Sequence, residues 1–203
     1  LADGTYNVAV SATDSAANVG SDGTANELTI DTQAPTVTVD VLVTSDTTPA
    51  LTGTINDNTA TISIMVSGQT HTATNNANGT WTLANNTITA LPDNTYNVTA
   101  TATDTAGNSA SDASSNELTI DTTGPTVTVD SLATNDNRPA LSGTINDTTA
   151  TITLNVGGQN GLVVTNNGNG TWTLADNTIN PGLADNTYNV AVTATDSVGN
   201  VGN

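Results

Sequence analysis

The chain repeats itself, and this repetition constrains its fold more than any other feature of the sequence. The hexapeptide Asn-Glu-Leu-Thr-Ile-Asp at residues 26–31 returns unchanged at residues 116–121. The motif Asp-x-Thr-Tyr-Asn-Val occurs three times, around Tyr6, Tyr96 and Tyr188, and these tyrosines lie 90 and then 92 residues apart. A unit of this length is a small domain that must bury its own core, whereas a solenoid turn is shorter.

The repeat divides the 203 residues into three parts. Residues 1–31, the first repeat, are predicted to hold the C-terminal strands of a truncated unit. Residues 32–121, the middle repeat, are a complete unit. Residues 122–203, the last repeat, lack a final Asn-Glu-Leu-Thr-Ile-Asp strand. This framing suggests an excerpt from a longer array, and the alternative is an assembly in which one copy completes another.

Alternation of apolar and polar residues predicts β-strands, as between Tyr96 and Thr103, where every second residue is apolar. No stretch shows a helical period with caps. The middle repeat contains about seven such segments, near residues 36–43, 50–56, 60–67, 70–75, 79–84, 95–103 and 115–121. Turns rich in Asn, Asp and Gly separate them. This spacing predicts an all-β fold of tandem immunoglobulin-like β-sandwiches with Greek-key connections.

The aromatic residues support a sandwich. The three tyrosines lie at the entrance to the penultimate strand of each unit, which is typical of a tyrosine corner, where the hydroxyl binds nearby backbone. Trp81 and Trp172 lie in alternating segments. We expect them to be core anchors, with a sugar-stacking platform as the alternative. Asp93 and Asp185, next to the corners, are expected to stabilise their own turns.

The formal net charge is −18, because the chain has 19 acidic residues, 17 of them Asp, against one Arg, with its single His neutral. One arginine cannot build a phosphate-binding patch, which argues against nucleic acid as a partner. No apolar run is long enough for membrane insertion. Dense negative charge favours divalent cations, which would relieve self-repulsion. We expect Arg138 to be a solvated loop charge and His71 a solvent-facing strand residue.

Several motifs resemble a known family. They are Asp31-Thr-x-Ala-Pro-Thr-Val, Leu51-Thr-Gly-Thr, Asn78-Gly-Thr-Trp, Asp93-x-Thr-Tyr and Ala102-Thr-Asp-x-Ala-Gly-Asn. Together they are similar to the bacterial Ig-like tandem repeats of giant type I-secreted adhesins and biofilm-associated surface proteins. The resemblance covers essentially the whole chain. It implies an extracellular location on a bacterial cell surface, in a stalk that holds a terminal binding domain and is often stiffened by calcium at its domain junctions.

Immunoglobulin-like topology would gather acidic residues where one repeat meets the next. The end of the preceding unit, the B–C loop and the F–G loop meet at this pole. The predicted Ca²⁺ ligands are Asp31, Asp57 and Asp104 at the first junction and Asp121, Asp147 and Asp196 at the second, with Asn108 and Asn200 nearby. Ca²⁺ takes about six to eight oxygen ligands, and carboxylates are common among them. The alternative is that these residues only stabilise their own turns.

These observations predict a structural extender of a large secreted adhesin, with neighbouring repeats of the same chain as partners. One alternative is a subunit of an extracellular filament, self-associating by strand exchange because the last repeat leaves a strand edge open. Another is a glycan-binding module that uses exposed Thr and Asn rows. We expect no enzyme, because the chain has no Cys and its single His has no partner at catalytic spacing.

Overall fold

The computed structural model describes residues 1–203, which form strands, turns and loops. It contains no helix long and apolar enough to cross a membrane. By internal contacts the chain divides into two compact units. One comprises Leu1–Leu42, Thr48–Ala90 and Thr95–Leu118, and the other Val43–Thr47, Leu91–Asn94 and Thr119–Asn203. The repeat boundaries after residues 31 and 121 stay a prediction.

The first repeat is built from two small antiparallel sheets. Its strands are β1 (Gly4–Tyr6), β2 (Ser11–Thr13), β3 (Val19–Ser21) and β4 (Leu28–Ile30). β1 pairs with β4, and β2 pairs with β3. Most of these residues are exposed, including Leu28, whose side chain is 36% accessible.

The middle repeat contains two sheets. Its strands are β5 (Leu42–Thr44), β6 (Leu51–Thr54), β7 (Thr61–Val66), β8 (Gln69–Asn75), β9 (Thr80–Leu83), β10 (Asn94–Tyr96), β11 (Val98–Thr103), β12 (Ser109–Ser111) and β13 (Leu118–Ile120). One sheet has the order β12-β11-β7-β8-β9-β6 and the other β10-β13-β5. The all-β sandwich is confirmed. The strand at Ser109–Ser111 was not predicted, and of the predicted strand at 36–43 only β5 and an isolated bridge at Val37 form.

The last repeat follows the same plan with fewer strands. They are β14 (Leu141–Thr144), β15 (Thr151–Val156), β16 (Gln159–Val163), β17 (Thr165–Asn166), β18 (Thr171–Leu174), β19 (Val190–Thr195) and β20 (Val201–Gly202). They form sheets of order β14-β18-β17 and β16-β15-β19-β20. The sheet formed by β10, β13 and β5 in the middle repeat has no counterpart.

The core of each repeat comes from the apolar positions of alternating strands. In the middle repeat, Val98, Ala100 and Ala102 on β11 face Val66, Ile64 and Ile62 on β7, and all six are buried. In the last repeat, Ile152 and Leu154 on β15 lie opposite Ala194 and Val192 on β19. Full burial of an Ile, Leu or Val side chain stabilises a fold by about 1.5–3 kcal/mol.

The tryptophans occupy the place predicted for them. Trp81 and Trp172 are completely buried, and each indole Nε1 donates a hydrogen bond to a backbone carbonyl, that of Thr38 at 2.9 Å and that of Thr128 at 2.8 Å. Burial of both the ring and its polar N–H leaves no platform for a sugar, so the core interpretation is confirmed.

The tyrosine corners of Tyr6 and Tyr188 also form as predicted. The hydroxyl of Tyr6 donates to the carbonyl of Ala2 at 2.8 Å, and that of Tyr188 to the carbonyl of Ala184 at 3.0 Å. Each bond ties a ring to the backbone four residues earlier and fixes how the chain enters the next strand.

Candidate metal site at the repeat junctions

The F–G loop of every repeat is one turn built around an aspartate and an asparagine four residues later. Asp104 Oδ1 accepts hydrogen bonds from the amides of Ala106 at 2.9 Å and Asn108 at 2.8 Å. Its Oδ2 accepts from Asn108 Nδ2 at 2.9 Å. Asp14 with Asn18 and Asp196 with Asn200 make the same contacts. The turn therefore forms from local sequence alone.

The asparagine of this turn reaches further, to the carbonyl at the end of the preceding hexapeptide. Asn108 Nδ2 donates to the backbone oxygen of Asp31 at 3.0 Å. Asn200 Nδ2 donates to the backbone oxygen of Asp121 at 2.8 Å. Each asparagine thus connects the F–G carboxylate of its own repeat to the last residue of the preceding repeat. Both junctions are built in the same way.

The B–C loop supplies the second predicted aspartate of each junction. Asp57 Oδ1 accepts from the amide of Thr59 at 2.8 Å and from its hydroxyl at 2.7 Å. Asp147 Oδ1 makes the same pair of bonds with Thr149, both at 2.7 Å. Because these bonds use only Oδ1, the Oδ2 atoms remain available to another ligand.

The carboxylates of each junction act on one another electrostatically. Hydrogen bonds from the amide and hydroxyl of Thr59 hold the pKa of Asp57 below its ordinary value, while the negative charge of Asp104 opposes this shift. Asp147 shows the same balance, with Thr149 lowering its pKa and Asp196 raising it. The negative charge of each F–G carboxylate therefore works against ionisation of the B–C carboxylate of the same junction.

The F–G carboxylates are also kept ionised. The side-chain hydrogen bond from Asn108 is the main cause of the lowered pKa of Asp104. For Asp196, burial raises the pKa, but hydrogen bonds from Asn200 and the loop amides outweigh it, so the pKa is lowered overall. Both aspartates therefore carry a full negative charge at neutral pH.

The three predicted ligands of the second junction share one open cleft of about 350 Å³. Asp121, Asp147 and Asp196 line it together with Thr123 and Asn146, among others. Asp121 Oδ1 accepts from the amide of Thr123 at 3.1 Å, so its Oδ2 remains available, as in Asp147. These three residues therefore line the same cleft. At the first junction, the backbone carbonyl of Asp31 accepts the hydrogen bond from Asn108. Its side-chain Oδ1 accepts from the amide of Gln33 at 3.0 Å.

The donor set suits a hard cation, since it consists only of oxygen atoms from carboxylates, carbonyls and hydroxyls. However, no group of three or more Asp, Glu, His or Cys residues lies close enough together to hold a metal ion. The turn hydrogen bonds account for the positions of the aspartates without a cation. Metal binding at Asp31, Asp57, Asp104, Asp121, Asp147 and Asp196 therefore stays a prediction.

Three other polar residues make contacts that the sequence did not predict. The carboxylate of Asp93, which was predicted to stabilise its own turn, accepts hydrogen bonds from Thr122 and Thr123, about 30 residues later. His71 is half-buried on β8, with Nε2 3.4 Å from Gln69 Oε1. Arg138 is half-buried, and its guanidinium donates to Asn180 Oδ1 at 2.7 Å. In each case the polar group contacts another residue, either distant in sequence or two residues away on the same strand, where a contact with solvent or with its own turn was expected.

The sequence interpretation placed Asn108 and Asn200 near the junctions without giving them a role. It also missed Asn56 and Asn146, whose Oδ1 atoms accept from the amides of Thr36 and Thr126, each at 2.7 Å. The signal that could have found the first pair is the spacing Asp-x-x-x-Asn, which occurs in all three F–G loops.

Comparison with known families identifies the repeats. The model of the bacterial Ig-like domain family matches the chain twice, over residues 38–122 and 126–203. Because the two matches are consecutive, the middle and last repeats are neighbouring domains of this family in one chain. No curated protein sequence gives a significant match.

Several solved structures are similar. One comes from work on host cell surface retention of a 1.5-MDa bacterial ice-binding adhesin; it is 21% identical, with a TM-score of 0.49, and the match covers 85% of this chain and 63% of that one. A tetra-tandem repeat in the extending region of a large adhesion protein is 27% identical, with a TM-score of 0.41, covering 99% and 55%. Fibronectin(III)-like modules of CbhA from Clostridium thermocellum are 11% identical, with a TM-score of 0.41, covering 83% and 89%. The chain spans less than two thirds of either adhesin structure.

Proposed function

The chain belongs to the bacterial Ig-like domain family, and from this premise we propose that it is a structural extender of a large secreted cell-surface adhesin. In this role its repeats project a distal binding domain from the bacterial surface for adhesion or biofilm formation. They would be passive modules without catalytic activity.

The observation that carries this proposal is the repeated asparagine contact at the junctions. Asn108 binds the carbonyl of Asp31 and Asn200 that of Asp121, so the same link recurs from one repeat to the next. A spacer needs such a link, because its reach depends on limiting motion between modules. A binding module does not need it in every copy.

The surface composition agrees with a spacer. Outward positions of the strands are mainly Thr, Ser and Asn, as in β7 and β8. The high negative charge keeps such a chain soluble and limits association with the anionic surface of a cell. A labelled antibody raised against the 203 residues should bind intact cells that produce the parent protein. Labelling only after the cells are broken would contradict the surface role.

We further propose that Ca²⁺ stiffens the junctions. Asp121, Asp147 and Asp196 would hold it at the second junction, and Asp31, Asp57 and Asp104 at the first. When bound, the cation would supply positive charge that neutralises the repulsion between the B–C and F–G carboxylates. The unengaged Oδ2 atoms of Asp121 and Asp147 support this assignment.

The test is a calcium titration followed by calorimetry and by thermal unfolding. We expect heat of binding and a higher melting temperature with Ca²⁺, since a ligand that binds only the folded state stabilises it. The variant Asp147→Asn keeps an Oδ1 acceptor for Thr149 but removes the charge, so it should weaken binding. Asp176→Asn, which removes an exposed charge outside the predicted set, is the matched control. Equal binding by both variants would rule out the second junction as the site.

Stiffening is measured separately by small-angle scattering with Ca²⁺ or a chelator. A larger maximum dimension with Ca²⁺ supports a calcium-stiffened extender. If Ca²⁺ binds without changing the dimensions, the stiffening proposal is wrong and the asparagine links alone define the junction.

A further inference from the structure

The chain contains four Asn-Gly pairs, at residues 78–79, 160–161, 167–168 and 169–170. In such a pair the backbone nitrogen of the glycine can attack the side-chain carbonyl carbon of the asparagine, and the five-membered ring that closes expels ammonia. Glycine favours this attack because it has no side chain to hinder the approach. Whether a pair reacts in the folded chain therefore depends on what holds its glycine nitrogen and its asparagine side chain.

In three of the four pairs the glycine amide already donates a hydrogen bond to an asparagine Oδ1. These bonds run from Gly79 to Asn58 at 3.2 Å, from Gly161 to Asn155 at 2.7 Å and from Gly168 to Asn166 at 3.2 Å. The amide of Gly170, in contrast, has no acceptor. A nitrogen that donates must break its bond before it can attack, so Gly170 is the one glycine of the four whose attack breaks no hydrogen bond.

The pairs at 78–79 and 169–170 are otherwise alike. Each begins the motif Asn-Gly-Thr-Trp in the hairpin before β9 or β18. Both asparagines are exposed, and the glycines have φ angles of 88° and 89°. Each glycine carbonyl accepts a hydrogen bond from an isoleucine amide at 3.0 Å. The difference at the glycine nitrogen comes from the B–C loop, where Asn58 of the middle repeat is replaced by Thr148 in the last repeat.

The side chain of Asn169 is held in a conformation that favours the attack. Its Oδ1 accepts hydrogen bonds from the amide of Thr171 at 3.2 Å and from the Thr171 hydroxyl at 2.7 Å. These bonds fold the side chain forward over the glycine that follows it. They also place two donors on the oxygen where negative charge develops as the nitrogen adds, which stabilises an oxyanion. Asn78 accepts the same two bonds from Thr80, so only the glycine nitrogen differs between the pairs.

We propose that Asn169 is a site of spontaneous deamidation and that Asn58 protects Asn78 from the same reaction. The Gly170 nitrogen loses its proton to hydroxide and forms a bond to Asn169 Cγ, while the Cγ–Nδ2 bond breaks and ammonia leaves with a proton from water. Water then opens the succinimide at one of its two carbonyls, which gives aspartate or isoaspartate. This inference concerns the hairpin alone and does not depend on the extender role.

The modification alters a hairpin that is bound to the B–C loop. Asn166, in the same hairpin, donates from Nδ2 to the backbone carbonyl of Asp147 at 3.0 Å. Either product adds a negative charge at residue 169. Isoaspartate also adds one carbon to the main chain before Gly170, which disturbs the bond between the Gly170 carbonyl and the amide of Ile145. Deamidation therefore changes the surroundings of a B–C aspartate in the last repeat and leaves the middle repeat as it is.

The experiment incubates the full chain at mildly alkaline pH and follows each Asn-Gly pair by chymotryptic peptide mapping with mass spectrometry. Electron-transfer fragmentation distinguishes aspartate from isoaspartate. In the folded chain we expect Asn169 to deamidate about fivefold faster than Asn78, the factor that corresponds to one hydrogen bond. In urea the contacts are lost, so the two identical tetrapeptides should react at similar rates.

Two reciprocal variants test the role of the acceptor. Asn58→Thr gives the middle repeat the residue of the last repeat and should raise the rate at Asn78 to that at Asn169. Thr148→Asn offers the matching acceptor in the last repeat and should slow Asn169 about fivefold. Both substituted positions are exposed. In each variant the pair in the unaltered repeat is the internal control.

Three results would overturn the proposal. They are equal rates at Asn169 and Asn78 in the folded wild type, a difference of the same size in urea, and a rate at Asn78 that Asn58→Thr leaves unchanged. Tryptophan fluorescence checks that the variants are folded, since Trp81 and Trp172 lie in the two cores. A faster Asn169 in the folded chain alone, together with the expected change in both variants, supports it.

Discussion

The middle and last repeats share their motifs and their cores but differ at one strand. The tripeptide Asn-Thr-Tyr is strand β10 at residues 94–96 of the middle repeat, yet the same tripeptide at 186–188 of the last repeat is not a strand. β13 pairs beside β10 in the middle repeat, and no strand pairs beside the tripeptide in the last repeat. Strand formation at this edge therefore depends on the partner strand more than on local sequence.

The hexapeptide gives a second comparison, between identical sequences in two surroundings. Leu118 is completely buried between sheets, whereas Leu28 is 36% accessible in the first repeat. The same backbone bond to a Glu carboxylate forms in both places. Polar contacts are thus set by the local motif, and burial is set by the rest of the domain.

The largest expected effect on the free energy of unfolding is the difference between substitutions in the two copies of the hexapeptide. Leu118→Ala should destabilise the chain by about 3 kcal/mol, because it leaves a cavity in a closed core. Leu28→Ala should cost less than about 1 kcal/mol at a site that is partly solvated. Urea unfolding followed by tryptophan fluorescence measures both. Equal costs would show that the first repeat is as well packed as the middle one.

The next largest effect concerns a glycine that the middle and last repeats share, Gly53 in one and Gly143 in the other. A Cβ at Gly53 would lie 1.9 Å from the carbonyl oxygen of Thr38, and one at Gly143 would lie 1.9 Å from that of Thr128. Gly53→Ala and Gly143→Ala should each cost about 2–3 kcal/mol in urea unfolding, since the segment that carries the threonine carbonyl must move away from β6 or β14. Gly23→Ala, where no atom lies within 4 Å, is the control. A much smaller cost in the last repeat would mean that the core around Trp172 is packed less tightly than the core around Trp81.

A smaller effect tests the junction asparagines. Asn108→Ala and Asn200→Ala each remove the bond to a preceding carbonyl, so both should cost about 1 kcal/mol. Asn18→Ala removes the contact with Asp14 in the first repeat, where no bond to a preceding carbonyl is formed, and should cost less. Amide hydrogen exchange in the F–G loops would localise the loss. Identical protection in Asn18→Ala and Asn108→Ala would show that the carbonyl bond contributes nothing.

The smallest effect is the pH dependence of the B–C aspartates. The folded pKa of Asp57 lies below its ordinary value of 3.8, so the stability it contributes is present above that value and is lost as pH falls through the folded pKa. The wild type should therefore be more stable than Asp57→Asn at neutral pH, and the difference should vanish in strong acid. Asp147→Asn should behave in the same way. Urea midpoints at several pH values measure this, and a difference that persists in acid would assign the effect to packing.

Much of the structure was predictable because it depends on local pattern. Alternation placed Val98, Ala100 and Ala102 in the core, and spacing placed the tyrosine corners. The F–G aspartates form the turns that Asp and Asn favour anywhere. The junction metal set stays a prediction: one cleft at the second junction is lined by its three members, but no three acidic residues lie close enough together to hold a metal ion.

What the sequence by itself determined, then, is the repeat, the strand pattern, the core and the turns, because these follow from side-chain polarity at short spacing. The tertiary structure alone decided how deeply each hexapeptide is buried, and which distant carbonyls and threonines bind Asn108, Asn200 and Asp93. Those asparagine contacts join residues 77 and 79 positions apart. No local period encodes such partners, because they meet only after whole sheets have packed.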